Sequence, residues 1–228
     1  MSEGGGRWLV DPVLSALGIV HGFGERGGEV PDAAVFPRQV HGVNVALAHK
    51  VGDESACADA ILGTHPGACV AIVTADCVPV LAATVDGRAA IAIHAGWRGL
   101  AAGVLEAGLN ALAAKSPGVP IAAVVGPAAR GCCYEVDEPV RAGLSERYAG
   151  LLGRVMTAGR AGRSQLDLPL LAEEVIRLFG VKSTLIGTKH RDCTICSPVR
   201  FESYRRDGAE AGRLKHFITV PATIPRQG

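Results

Sequence analysis

Apolar positions in this chain fall into short runs punctuated by glycine, proline and small polar residues. Between Ala58 and Ala95 the runs ADAILGT, ACVAIVTADCVPVLAATVDG and RAAIAIHAG follow one another closely, and their length predicts buried strands. The VDG between the last two supplies a hairpin turn. From about Gly99 to Lys115 the period changes to helical spacing, with a Leu and Val stripe suited to packing on the sheet. The style repeats as strand IAAVVG, loop GPAARGCCYEV and helix DEPVRAGLSERYAG, with Asp137 at the N-cap and Pro139 in the first turn. LDLPLLAEEVIRLFGV predicts a further helix capped by Asp167, with Leu170, Leu171, Val175, Ile176 and Phe179 on its apolar face and Gly180 at its end. STLIGT then reads as a strand, and RDCTICSPVRFESYRRDGAEAGRLKHFITV as a polar loop followed by a strand.

Nearer the N-terminus, HGFGERGGEVPDAAVFPRQVHG carries turn residues at high density and predicts a loop bracketed by short strands around Ile19 to Phe23 and Val43 to Ala48. Residues 1–6 are glycine-rich and are expected to be disordered. Strands and helices mix without a regular βαβ rhythm or a solenoid period, so residues 7–228 are expected to form one α+β domain.

Composition narrows the partners. Nearly half of the 228 residues are apolar, enough for a sizeable core, and the formal net charge is +1. That balance gives no reason to expect a nucleic acid or a membrane surface as partner, so charge-driven recognition has to be local. Seven cysteines do not make a short disulfide framework, and they read as reduced thiols of a cytoplasmic protein. No signal-peptide pattern opens the chain, and no run approaches the ~18 apolar residues of a membrane helix.

Three soft or borderline metal ligands interrupt turns beside apolar strands: His41 in RQVHG, Cys77 in TADCVPVL and His94 in AIHAGW. Catalytic zinc takes three His or Cys ligands and keeps a fourth position open for water, so two histidines and a thiolate satisfy its demand. An antiparallel hairpin would bring Cys77, just before its strand, next to His94 at the end of its own. The same residues support two other readings: Cys77 as nucleophile with His94 as base in a cysteine hydrolase, or a closed structural metal site in a binding protein. Taken singly, a cysteine in an apolar run is ordinarily a core thiol.

Cys193 and Cys196 form a CxxC, compatible with half of a structural zinc site or with a redox pair. There is no second CxxC, and the vicinal Cys132 and Cys133 are an unusual chelate, so these four read as reduced thiols packed in loops. Arg26, Arg98, Arg205 and Arg206 sit beside glycines in loops, where a guanidinium fork suits a phosphate or a carboxylate. A solvated loop charge is the ordinary explanation of any one of them. Trp97 is either a plug over the helix start or a stacking surface for a flat heterocycle. No GxSxG, HExxH, Walker or Rossmann pattern is present.

Together HGFGERGG, RQVHG, TADCVPVL, HAGWRG, GPAARGCCYEV, LDLPLLAEEV and CTICSPVRFESYRRDGAEAGR resemble the YfiH-like family, also called laccase-domain or multicopper polyphenol oxidase-like proteins and assigned as purine nucleoside phosphorylases. The motifs occur in the family's order across nearly the whole chain. The resemblance implies a four-layer α/β/β/α sandwich with mixed sheets, likened also to bacterial toxin cysteine hydrolases. It implies zinc on His41, Cys77 and His94, and phosphorolysis of adenosine, inosine and methylthioadenosine together with deamination of adenosine. An amidase acting on a cell-wall precursor and a copper-dependent polyphenol oxidase are the competing activities. The sequence lacks the paired HxH motifs of a multicopper cluster, which disfavours copper. Relative to the family the segment between Gly28 and Arg38 is short, and Glu25 stands where a small hydroxyl residue is common, beside Arg26. A carboxylate there is expected to weaken anion binding by Arg26.

Overall fold

The protein is described by a computed structural model covering residues 7–48 and 56–222; the disorder expected of residues 1–6 concerns positions outside that range. Six strands form the central sheet in the order Ile186–Gly187, Ile121–Val125, Val78–Thr84, Ala90–Ala95, Ala60–Gly63 and Val45–Leu47. Its four inner strands pair antiparallel with one another, and each edge strand pairs in parallel with the inner strand beside it. A second sheet takes the order Trp8–Leu9, His21–Gly24, Leu214–Thr219, Cys69–Thr74 and Ala34–Val35. A small third sheet joins Glu135–Val136, Ser164–Leu166 and Met156–Ala158. Helices and mixed sheets make an α+β fold.

Alternation along the central strands explains the layering. Val78, Val80, Ala82, Ile91, Ile93, Ala123 and Val125 face a core shared with the helices, while Leu81, Ala83, Ala90, Ala92, Ala122 and Val124 face the second sheet. Strands buried on both faces read as continuous apolar runs, which is why this part of the sequence shows no polar alternation. The outer face of the second sheet is covered by Trp8, Val30, Ala34 and Phe36 over Cys69, Ala71 and Phe217, with Trp8 edge-on to Phe217 at 5.1 Å.

The helices depart from expectation in instructive ways. Gly99 to Lys115 is not one helix but two, Trp97–Ala102 and Val104–Ala113. Gly103 stands between them with φ +95°, and a Cβ there would lie 2.9 Å from the Arg147 guanidinium. Arg147 in turn donates to the freed carbonyls of Ala101 and Ala102, at 3.2 Å each, which satisfies the end of the short helix. The helix expected from Asp137 extends over Glu138–Val155, with non-helical backbone at Tyr148, whose hydroxyl donates to Glu106 Oε1 at 2.8 Å. Asp137 occupies the N-cap without capping; its carboxylate lies 3.7 Å from Arg163 instead. Asp167 does cap Leu168–Leu178, accepting from the Leu170 N–H at 3.0 Å. In STLIGT only Ile186–Gly187 is strand; Ser183–Leu185 winds into a 3₁₀ turn.

A buried imidazole ties the second sheet together. His216 accepts at Nδ1 from the Gly24 N–H at 3.3 Å and donates from Nε2 to Thr74 Oγ1 at 2.8 Å, which is the neutral tautomer. Burial, assisted by the charge of His94, lowers its pKa from 6.5 to about 3. Because the unfolded chain takes up the proton first, this contribution is intact above pH 6.5 and is lost progressively as pH falls towards 3. Between pH 7.5 and 4.5, urea unfolding of the native chain should lose about 2–3 kcal/mol more than that of His216→Gln. Equal losses in the two proteins would refute this.

Candidate metal centre

Register places the first two donors. Pro79 pairs with His94 and Val78 with Ala95, so the residue before one strand meets the end of the next. His94 shares the parity of Ala90 and Ala92, which turns its ring away from the helices. His41 arrives from a separate loop. The three donor atoms lie within 4.8 Å of one another. Cys77 Sγ is 4.0 Å from His41 Nε2, and the two imidazoles meet edge to face at 4.8 Å. His94 is buried, Cys77 half-buried and His41 exposed.

Sequence reasoning missed Asp59, the group that fixes this arrangement. Its wholly buried carboxylate accepts from His94 Nδ1 at 2.8 Å, leaving Nε2 for the cleft. It also accepts the backbone N–H groups of Val40 (3.2 Å), His41 (2.8 Å) and Gly42 (2.6 Å). A carboxylate behind a ligating imidazole sets its tautomer and orientation. His41 has φ +59° and Asp76 φ +86°; these are the non-glycine residues with left-handed backbone among those described, the first being itself a donor and the second directly preceding Cys77. Such a conformation persists only where its surroundings over-determine it. At Asp76 the surroundings are Thr194 Oγ1 (2.6 Å), Ser203 Oγ (3.0 Å) and the Arg205 N–H (2.7 Å), all donating to its carboxylate. Gly96 is equally constrained, since a Cβ there would come within 2.9 Å of Cys77 Sγ and 3.1 Å of the His41 ring.

Electrostatics favour the ligating form of the thiol. Burial raises the Cys77 pKa, but hydrogen bonding to His41 and His94, with their charges, brings it down to about 7. Burial likewise opposes the charged form of His94, yet Asp59 and Cys77 raise it to about 9. Asp59 is held below the usual carboxylate range: burial raises it, and the bonds from His94 and Gly42 overcome that. These shifts favour a thiolate beside an imidazolium, backed by a carboxylate.

The donors lie at one side of a cleft of about 670 Å³. Trp97 and Arg98 line it, the guanidinium stacked 4.4 Å from the indole centre. Arg205 lines it too, stacked 4.6 Å from Tyr134 and donating to the Glu135 carbonyl at 2.7 Å. Tyr134, Tyr204 and Arg213, which sequence reasoning missed, also line it, Tyr204 from the start of the short helix Tyr204–Asp207. Arg26 lies outside the residues lining the cleft, 3.0 Å from Glu202 and bonded to the Phe201 carbonyl. Glu25 pairs with Arg200 at 2.6 Å and so does not oppose Arg26. Arg206 is structural, bonded to the Thr194, Ile195 and Phe201 carbonyls and to Asp207. A more open hollow of about 920 Å³ beside the Glu138–Val155 helix carries no thiol or imidazole.

Among the described residues no helix is long and apolar enough to cross a membrane. The sequence pattern of the family described as multi-copper polyphenol oxidoreductase laccase matches residues 23–221. Purine nucleoside phosphorylase of Xylella fastidiosa is 39% identical over 183 residues, 78% of this chain and 69% of the relative. Purine nucleoside phosphorylase YfiH of Escherichia coli is 35% identical over 191 residues, 84% of this chain and 75% of its own. A solved Neisseria meningitidis protein superposes with a TM-score of 0.74 at 31% identity, covering 83% of this chain and 75% of that one. YlmD from Geobacillus stearothermophilus superposes with a TM-score of 0.84 over 97% of this chain and 98% of that one; at 24% identity this likeness shows the fold alone.

Proposed function

The chain belongs to the multi-copper polyphenol oxidoreductase laccase family, the YfiH-like proteins, and from that footing we propose that it is a zinc-dependent purine nucleoside phosphorylase. Its substrates are adenosine, inosine and methylthioadenosine, with deamination of adenosine as a second reaction in the same cleft. The observation that carries the reading is the convergence of His41, Cys77 and His94 in one cleft with guanidinium groups and aromatic side chains.

The donor set fits one zinc ion. Two imidazoles and one thiolate are borderline-to-soft ligands, and three of them leave a position facing the cleft. Among the described residues, the two groups that would hold a metal are this trio and a cluster of four cysteines, which is not the histidine-rich set of a multicopper oxidase. When bound, zinc would supply Lewis acidity beside the substrate, the chemistry that deamination at purine C6 requires.

The chain's own residues account for phosphorolysis. Arg98, Arg205 and Arg213 have no carboxylate partner within 4.0 Å among the described residues, and their forks suit a phosphate dianion. The Tyr204 ring, and the part of Trp97 that lines the cleft beside Arg98, suit a purine and exclude water around it. Phosphate oxygen then bonds to ribose C1′ as the C1′–N9 bond breaks, and the departing purine takes up a proton. Guanidinium groups hold the nucleophile in line, which removes much of the entropic barrier.

The test uses purified protein with adenosine or inosine. Ribose 1-phosphate and free base should form only with phosphate present, and Arg98→Ala should raise the KM for phosphate about tenfold. Release of free base from inosine that is indifferent to phosphate would sink the proposal. The thiolate–imidazolium pair supports a second reading, Cys77 as the nucleophile of a metal-free amidase. Rapid stoichiometric alkylation of Cys77, unchanged by a chelator and abolishing the activity, would favour it.

A further inference from the structure

We propose that Cys132, Cys133, Cys193 and Cys196 form a second, structural metal site that holds one zinc ion as a closed tetrathiolate. It is independent of the reading given to the cleft.

Topology makes the site. Strands Ile121–Val125 and Ile186–Gly187 pair in parallel, so the loops that follow them leave the same end of the sheet side by side. An isolated bridge between Ala128 and Cys193 extends the pairing: the Ala128 N–H donates to the Asp192 carbonyl at 3.2 Å and the Thr194 N–H to the Ala128 carbonyl at 3.1 Å. The GCC turn then folds back, with the N–H groups of Cys133 (2.9 Å) and Tyr134 (2.8 Å) both donating to the Arg130 carbonyl. This curl brings both vicinal thiols towards the CxxC, which an extended backbone would prevent, since successive side chains would then point to opposite faces. Sequence alone could not show the curl.

All four sulfurs lie within 4.8 Å of one another, and Cys132 Sγ is 3.9 Å from Cys196 Sγ. Ligands about 2.3 Å from a tetrahedral zinc are about 3.8 Å apart, and a disulfide would need about 2.05 Å. Backbone N–H groups of Cys196, Arg130 and Ile195 are turned towards the Cys193 sulfur. Four sulfur donors fill a zinc ion's coordination and leave no place for substrate, so the role is structural.

What the ion would hold is one wall of the cleft. Thr194, inside the CxxC, donates to Asp76, the residue before Cys77. Arg206 grips the Thr194 and Ile195 carbonyls. Tyr134 directly follows the vicinal pair and lines the cleft. Clamping the two loops fixes these three residues together.

The test is metal content of the full chain, expressed with zinc and purified under reducing conditions. Cys77→Ser should keep one equivalent of zinc, and Cys193→Ser and Cys196→Ser should each hold one equivalent less than the parent. Cobalt loaded into Cys77→Ser should give the visible absorption of a tetrahedral thiolate site, lost again on adding Cys196→Ser. The Cys77 background separates this proposal from the cleft reading: if the cleft binds nothing, the parent holds one equivalent and Cys77→Ser holds the same. Should a cysteine variant fail to fold, native thiol titration of Cys77→Ser replaces it, with four thiols expected to be protected until a chelator is added. A Cys77→Ser protein without metal, or a native mass showing a disulfide among the four, overturns the site.

Discussion

Cys77→Ala is expected to empty the cleft of metal and to lower nucleoside turnover about 10³-fold. The magnitude follows from the several kcal/mol that a Lewis acid contributes to a transition state, at roughly 1.4 kcal/mol for each factor of ten. The fold should survive, because the side chain is small and half-buried. A second readout follows from the electrostatics. Cys77 is one of the groups that raise His94 to about 9, so in the metal-free variant the His94 imidazole should lose its proton at a lower pH than in the metal-free parent, as an NMR titration would report. Retention of both metal and turnover by Cys77→Ala would remove the basis for the metal-dependent mechanism.

Asp59→Asn is expected to cost about 2–4 kcal/mol of folding stability and to weaken cleft metal binding about 10–100-fold. Four donors converge on this carboxylate: three backbone N–H groups and His94 Nδ1. Each oxygen accepts two of them, so an amide in either orientation sets its NH₂ against two donors. The Asp59 side chain itself is fully buried, so neither of its oxygens can turn to water for relief. The loss should divide between the loop, which would release His41, and the ring of His94, which would lose its orienting partner. Chemical unfolding measures the first, and competition with a chromophoric chelator the second. A variant as stable as the parent, with unchanged affinity, would show that Asp59 positions neither histidine.

The three cleft donors were legible in the sequence because each is a soft or borderline ligand interrupting a turn beside an apolar strand. Asp59 was not, since an aspartate opening ADAILG looks like any polar residue before a strand; only the fold of the 37–42 loop over it reveals four donors. Arg26 and Arg206 share the signature of Arg98, a guanidinium beside glycine, and differ from it through tertiary neighbours, Glu202 for Arg26 and the Thr194 and Ile195 carbonyls for Arg206. The helix expected from Gly99 to Lys115 broke because its glycine faces Arg147, a contact between segments about 44 positions apart in the chain. Strand positions were the most readable feature, because residues buried between two layers have to be apolar on both faces.

The hairpin that carries Cys77 and His94 lies in the interior of the six-stranded sheet, packed by helices on one side and by a second sheet on the other. The opposite wall of the cleft is made of turns and of side chains from distant loops. On the proposed reading, ion retention and substrate choice are therefore separable properties of this scaffold: drift in Tyr204 or Arg213 would retune what enters without touching His41, Cys77 or His94.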